Sequence, residues 1–155
     1  MRLRLQKRKT LFEVYERVRV LEDKYSGSIE GIPDNFAEGR MGSDEFEDYA
    51  EWLGMVHALR AYGEGEDFDY YAEEIIELDW EKTRQLSPRR MQLLNYLSEN
   101  HVDSINKLSK NIGRDVKNIY NDLKILEQLG FLRLVKEGRR LSPELLVHEI
   151  TILLW

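Results

Sequence analysis

The run SINKLSKNIGRDVKNIYNDLKILEQLG, from Ser104 to Gly130, constrains the fold more tightly than any other stretch. It reads as two helices joined by a sharp turn. Ser104 can cap the first, because its hydroxyl can accept a hydrogen bond from a free N–H of the opening turn. Ile105, Leu108 and Ile112 recur at helical spacing and form one apolar face. Gly113 follows, where a left-handed residue ends a helix with least strain. Asp115 can cap the second helix. Val116, Ile119, Leu123, Leu126 and Leu129 form its buried stripe, and Gly130 stops it. The opposite face carries Lys117, Asn118, Asn121 and Lys124, with Arg114 in the turn. Donor-rich side chains of this kind contact phosphates and base edges. This is the layout of a helix-turn-helix with its recognition helix second.

The flanks extend the pattern. Leu86-Ser87-Pro88 opens an earlier helix, with Ser87 at the cap and Pro88 at the first position. Met91, Leu94 and Leu97 carry it to about Glu99. After Gly130, Phe131 to Val135 predicts a strand. Lys136-Glu137-Gly138-Arg139-Arg140 predicts a hairpin tip, with Gly138 at the positive-φ position, and the return strand begins near Leu141. Three helices followed by a hairpin are the order of a winged helix. Val147 to Leu154 predicts a further strand with Ile150 and Ile152 on one face. Its best partner is the alternating Leu3/Leu5 strand near the N-terminus, from the same chain or a second copy.

The first half is less regular. Thr10 can cap a helix to about Tyr25, striped by Leu11, Val14, Tyr15, Val18 and Leu21. Breaks at residues 26–28 and 31–33 precede a short helix around Asp34 to Glu38. Ser43-Asp44-Glu45 opens a longer helix ending near Tyr62-Gly63, with Phe46, Tyr49, Leu53, Val56 and Leu59 at steps of three and four. Phe68 to Trp80 reads either as a helix over Asp69 to Leu78 or as an extended connection, and the helix is favoured. The expected fold class is therefore α+β, mainly α. Residues 1–85 form an acidic helical module with a basic N-terminal strand, expected to serve dimerisation or partner binding, and residues 86–155 form the winged helix-turn-helix DNA-binding domain.

Charge follows the same division. The 155 residues carry a net charge of −6, but residues 1–85 hold 12 basic and 21 acidic residues and residues 86–155 hold 11 and 8. The first ten residues add a basic tip of five cations without an acid. Such asymmetry points to nucleic-acid contact by the ends and a different task for the middle. Cysteine is absent, which excludes disulfides, thiolate zinc sites and cysteine catalysis, and fits an intracellular, cytoplasmic location. No apolar run approaches a membrane span, and the N-terminus has no apolar core of a signal peptide.

In a winged helix, the first half of the recognition helix enters the major groove, and Lys117 and Asn118 lie there. Asn118 suits bidentate reading of adenine, and Arg114 or Lys117 suits guanine or phosphate. Tyr120 and Asn121 add contacts, and Lys124, a turn further on, meets a phosphate. Lys136, Arg139 and Arg140 on the wing suit the DNA backbone or minor groove. The plain alternative is a solvated helix surface, and Asp115, Asp122 and Glu137 weaken the local field. The acidic run from Asp44 to Glu51 lacks the spacing of a calcium loop and reads as a solvated helix face. His57, His101 and His148 are scattered, and Gly63-Glu64-Gly65 is too short and too acidic to cradle phosphate. No catalytic, cofactor-binding or metal-binding residues are expected.

Residues 86–155 resemble the archaeal winged helix-turn-helix transcriptional regulators, broadly similar to the MarR-like group. The stretches that carry the likeness are LSPRRMQLLNYL, SINKLSKNIGRDVKNIYNDLKILEQLGFL and EGRR, with HEITILLW resembling the group's terminal strand. The resemblance implies dimeric, DNA-bound control of transcription. It places the contacts on Arg114, Lys117, Asn118, Tyr120, Asn121, Arg139 and Arg140. More weakly, residues 21–62 are similar to small helical archaeal antitoxin-like proteins, which implies that the N-terminal half grips a basic protein partner, a toxin. The expected function is a sequence-specific DNA-binding regulator, a repressor and homodimer without catalysis. The alternative is a protein-interaction adaptor that uses its winged helix without DNA.

Overall fold

The computed structural model describes residues 1–32, 34 and 39–155. The chain is α+β and mainly helical. It divides into two compact units, one of Met1–Lys7 with Glu73–Trp155 and one of Arg8–Ala72. The expected boundary near residue 85 thus moves, because the N-terminal strand pairs within the C-terminal unit. The short helix expected around Asp34 to Glu38 falls largely on residues outside the described ones.

In the first unit, β1 (Arg2–Arg8) is the middle strand of a three-stranded sheet ordered β2-β1-β5. Its alternation holds, with Leu3 and Leu5 fully buried. Strand β5 (Val147–Leu153) runs antiparallel to it and sets Ile152 opposite Leu3 and Ile150 opposite Leu5, so the partner lies in the same chain. Strand β2 (Tyr71–Glu77) lies on the other side of β1. Leu78 N donates to Met1 O at 2.8 Å, and Met1 N donates to Leu78 O at 2.7 Å. The helix favoured over Asp69 to Leu78 is therefore corrected to a strand. Its partner lies far away in sequence and matches it in charge: Glu73 pairs with Arg4 at 3.3 Å and Glu74 with Lys7 at 2.6 Å. A ladder supplied by a distant strand overrides local propensity.

A short helix not anticipated from the sequence follows, α3 (Trp80–Gln85), capped by Asp79, which accepts from Lys82 N at 2.8 Å. Next come α4 (Pro88–Glu99), α5 (Ile105–Ile112) and α6 (Val116–Gln128), with N-caps at Ser87, Ser104 and Asp115. Strands β3 (Leu132–Glu137) and β4 (Arg140–Leu145) form the wing, turned by Gly138 at φ +61°. Leu93, Leu108, Ile119, Leu123, Leu126 and Phe131 build the core with Leu3 and Leu5. Each such side chain contributes about 1.5–3 kcal/mol by leaving water. Val116, expected in the buried stripe, is exposed because it sits in the first turn beside the groove described below.

The second unit pairs α1 (Leu11–Tyr25) with α2 (Ser43–Gly63), joined in part by a 3₁₀ turn at Ile29–Gly31. A reciprocal capping box between Thr10 and Glu13 starts α1. Val14, Val18 and Leu21 pack in one cluster with Trp52 and Met55. Tyr15, Phe46 and Leu53, expected in the stripes, are exposed, because the buried face of α2 is centred on Trp52 and Met55. The acidic face of α2 is also more structural than expected. Asp48 accepts from Tyr25 at 2.7 Å and from Lys24 at 2.5 Å, and Glu51 accepts two bonds from Arg17, each 2.9 Å. Among the described residues, no helix is long and apolar enough to cross a membrane.

Candidate nucleic-acid interface

The turn between α5 and α6 is fixed by short-range chemistry. Ser104 Oγ accepts from Lys107 N at 3.1 Å to start α5, and Gly113 at φ +73° ends it. Gly113 N donates to Ser109 O at 2.8 Å, and the buried Ser109 hydroxyl donates to Arg114 O. Asp115 Oδ1 then accepts from Lys117 N at 2.9 Å and Asn118 N at 3.3 Å. These bonds aim the first turn of α6 outward, with Lys117, Asn118, Tyr120 and Asn121 exposed while Ile119 and Leu123 are buried.

Lys117 and Tyr120 line an open groove of about 630 Å³ together with Arg139 and Arg140 of the wing and Ser104 and Asn106 of α5. Helix α6 and the hairpin thus present cations and hydrogen-bond donors to one hollow. Asn118 faces a second hollow, of about 400 Å³, beside Arg89, Gln92 and Arg114. Asp115 borders both hollows. Asn121 and Lys136 are exposed but line neither. No ion pair engages Lys117, Lys136, Arg139 or Arg140 among the described residues.

Two expected contact residues are differently placed. The Arg114 guanidinium bonds Asp122 at 2.7 Å, and Arg90 bonds the same carboxylate at 2.9 Å, so Arg114 is not a free donor. Lys124 bonds Glu127 at 2.8 Å instead of standing free for a phosphate. The Glu127 bond holds the Lys124 ammonium above its ordinary pKa. In turn, Lys124 and then the Leu134 N–H hold Glu127 below the usual carboxylate value. Because Leu134 N donates to Glu127 Oε2 at 2.6 Å, this carboxylate also ties α6 to the wing strand β3. Sequence reasoning missed Arg89, Gln92 and Asn106 as groove residues. Their polar character in the first two turns of α4 and the first turn of α5 was the available signal.

No curated protein shows a significant match to this chain. Over residues 85–152, which span α4 to α6, the wing and nearly all of β5, the chain is similar to the family HVO_A0114, whose function is not known.

Proposed function

We propose that this chain is a non-enzymatic, sequence-specific DNA-binding regulator of transcription, a repressor, that works in the cytoplasm as a homodimer. The observation that carries the reading is the groove in which Lys117 and Tyr120 of the recognition helix meet Arg139 and Arg140 of the wing. Major-groove reading falls to Lys117, Asn118 and Asn121, and backbone or minor-groove contact to the wing. A single module of this size buries little DNA surface, which favours two copies on two half-sites. Charge agrees: the first unit holds 16 basic and 13 acidic residues, net +3, although the chain as a whole is acidic. Selection from random duplexes, followed by binding measurements at two salt concentrations, tests the reading. A recovered motif whose binding weakens with salt is expected. Asn118→Ala is expected to relax base preference by about 1–3 kcal/mol, and Lys117→Ala to weaken binding. No binding at low salt would overturn it.

A second reading rests on the other unit. Arg8–Ala72 holds 7 basic and 16 acidic residues, net −9, and exposes Phe12 and Tyr15 on α1. Acid around exposed aromatics suits a basic protein partner, as the likeness to antitoxins implies. Such a partner would bind this unit with or without DNA, and Phe12→Ala would weaken it without changing the duplex motif.

A further inference from the structure

The two edges of the three-stranded sheet differ in what they can accept. An edge strand presents a row of unpaired N–H and C=O groups, and proteins blunt such edges with charges, proline or bulges. Strand β2, one edge, carries Glu73, Glu74 and Glu77. Two copies of it side by side would bring three carboxylates from each strand together, of which Glu73 and Glu74 meet cations on β1 and Glu77, among the described residues, does not. Strand β5, the other edge, reads VHEITIL: one carboxylate, no lysine, no arginine and no proline. Its Glu149 already accepts a hydrogen bond from Thr151 at 2.8 Å.

The apolar layer also runs past this edge. Leu3 is 1% exposed, yet Ile152, its direct partner across the ladder, is 58% exposed, and Leu154 and Trp155 just beyond are 93% and 74% exposed. An apolar side chain left open beside an unpaired backbone edge is fitted by another apolar, nearly uncharged strand.

We propose that β5 is a self-association edge, on which the β5 strand of a second copy pairs antiparallel to give one sheet ordered β2-β1-β5-β5-β1-β2. A second copy fits this edge because β5 set against itself opposes one carboxylate per strand, Glu149, which Thr151 already engages, and a two-fold contact is self-complementary. The pairing relates the two winged helices by a two-fold axis, so their half-sites would be inverted. The proposal names the contact of the dimer inferred above, but it rests on the sheet edge and not on DNA.

Sedimentation equilibrium of the full chain without DNA tests it, so its failure and that of DNA binding are read separately. The wild-type chain is expected to be a dimer, Ile152→Lys a monomer, and Leu53→Lys, at an exposed apolar position of α2, still a dimer. A monomeric wild type, or a dimer that survives Ile152→Lys but not Leu53→Lys, overturns the proposal. Because Ile152→Lys can also disturb folding, a second measurement leaves the edge intact. The chain has no cysteine, so a single nitroxide can be attached at Glu149→Cys or, as a remote control, at Glu137→Cys on the wing. Adjacent strands lie about 4.8 Å apart. Strong dipolar coupling between copies is expected at position 149 and weaker coupling at 137. A dimer without strong coupling at 149 overturns the proposal.

Discussion

Asp122 accepts a hydrogen bond from Arg114 Nη2 at 2.7 Å through one carboxylate oxygen, while the other accepts from Arg90 Nε at 2.9 Å. One acid on α6 thus holds both the turn before it and α4. The three side chains are 13–23% exposed, so solvent screens them less than a surface pair. Asp122→Ala would leave two guanidiniums facing each other. The expected loss is about 1–3 kcal/mol, below that for a fully buried pair because some solvent remains. Urea unfolding measures it, and an unchanged midpoint would show that the clamp carries no stability.

The wing makes a prediction about DNA. Arg139 and Arg140 sit at the hairpin tip, exposed, and border the groove beside Lys117. Side chains placed this way meet phosphate more readily than base edges. Each Arg→Ala change is expected to weaken binding to all duplexes alike and to lower the salt slope by about 1. Titrations at several salt concentrations read this directly. A change in motif with an unchanged slope would place these arginines on bases instead.

What the sequence revealed, and what it hid, follows from the range of the forces involved. Caps and stops act over three or four residues, so Thr10, Ser87, Ser104, Asp115 and the glycines at 113, 130 and 138 marked their elements correctly. The pairing of Leu3 and Leu5 with Ile152 and Ile150 was legible from complementary alternation. Strand β2 was not, because Ala72, Glu73, Glu74 and Glu77 are residues of modest strand propensity and only pairing with β1 makes them extended. At the candidate interface, periodicity separated the exposed Lys117, Asn118, Tyr120 and Asn121 from the buried stripe. It could not show that Arg114 and Lys124 spend their charge on Asp122 and Glu127, since that depends on side-chain direction along the helix.

Gly113 isolates the backbone term of the turn. Its φ is +73°, and a Cβ built there would meet nothing within 4 Å. Any cost of Gly113→Ala is therefore conformational, about 1–2 kcal/mol. Gly113→Asn should cost less, since asparagine tolerates the left-handed region. Thermal unfolding of the two variants checks this, and an alanine variant as stable as the parent would mean that the turn relaxes to negative φ.

Stability should also depend on pH through Asp48 and Glu127. Burial pushes the Asp48 carboxyl up, but bonds from Lys24 and Tyr25 outweigh it and the net shift is downward. Glu127 is lowered by Lys124 first and then by the Leu134 N–H. A carboxyl whose folded pKa is depressed binds its proton more readily in the unfolded chain, so stability rises with pH across this range. The contribution is complete above the ordinary values of 3.8 and 4.5, and it is lost as pH falls through the folded values. Glu127→Gln should therefore destabilise the winged unit at neutral pH and lose that effect progressively as pH falls below the ordinary carboxylate value and the parent carboxyl takes up its proton. Denaturant unfolding of parent and variant from neutral to acid pH measures the gap. A gap of constant size throughout would mean that the charge of Glu127 contributes nothing.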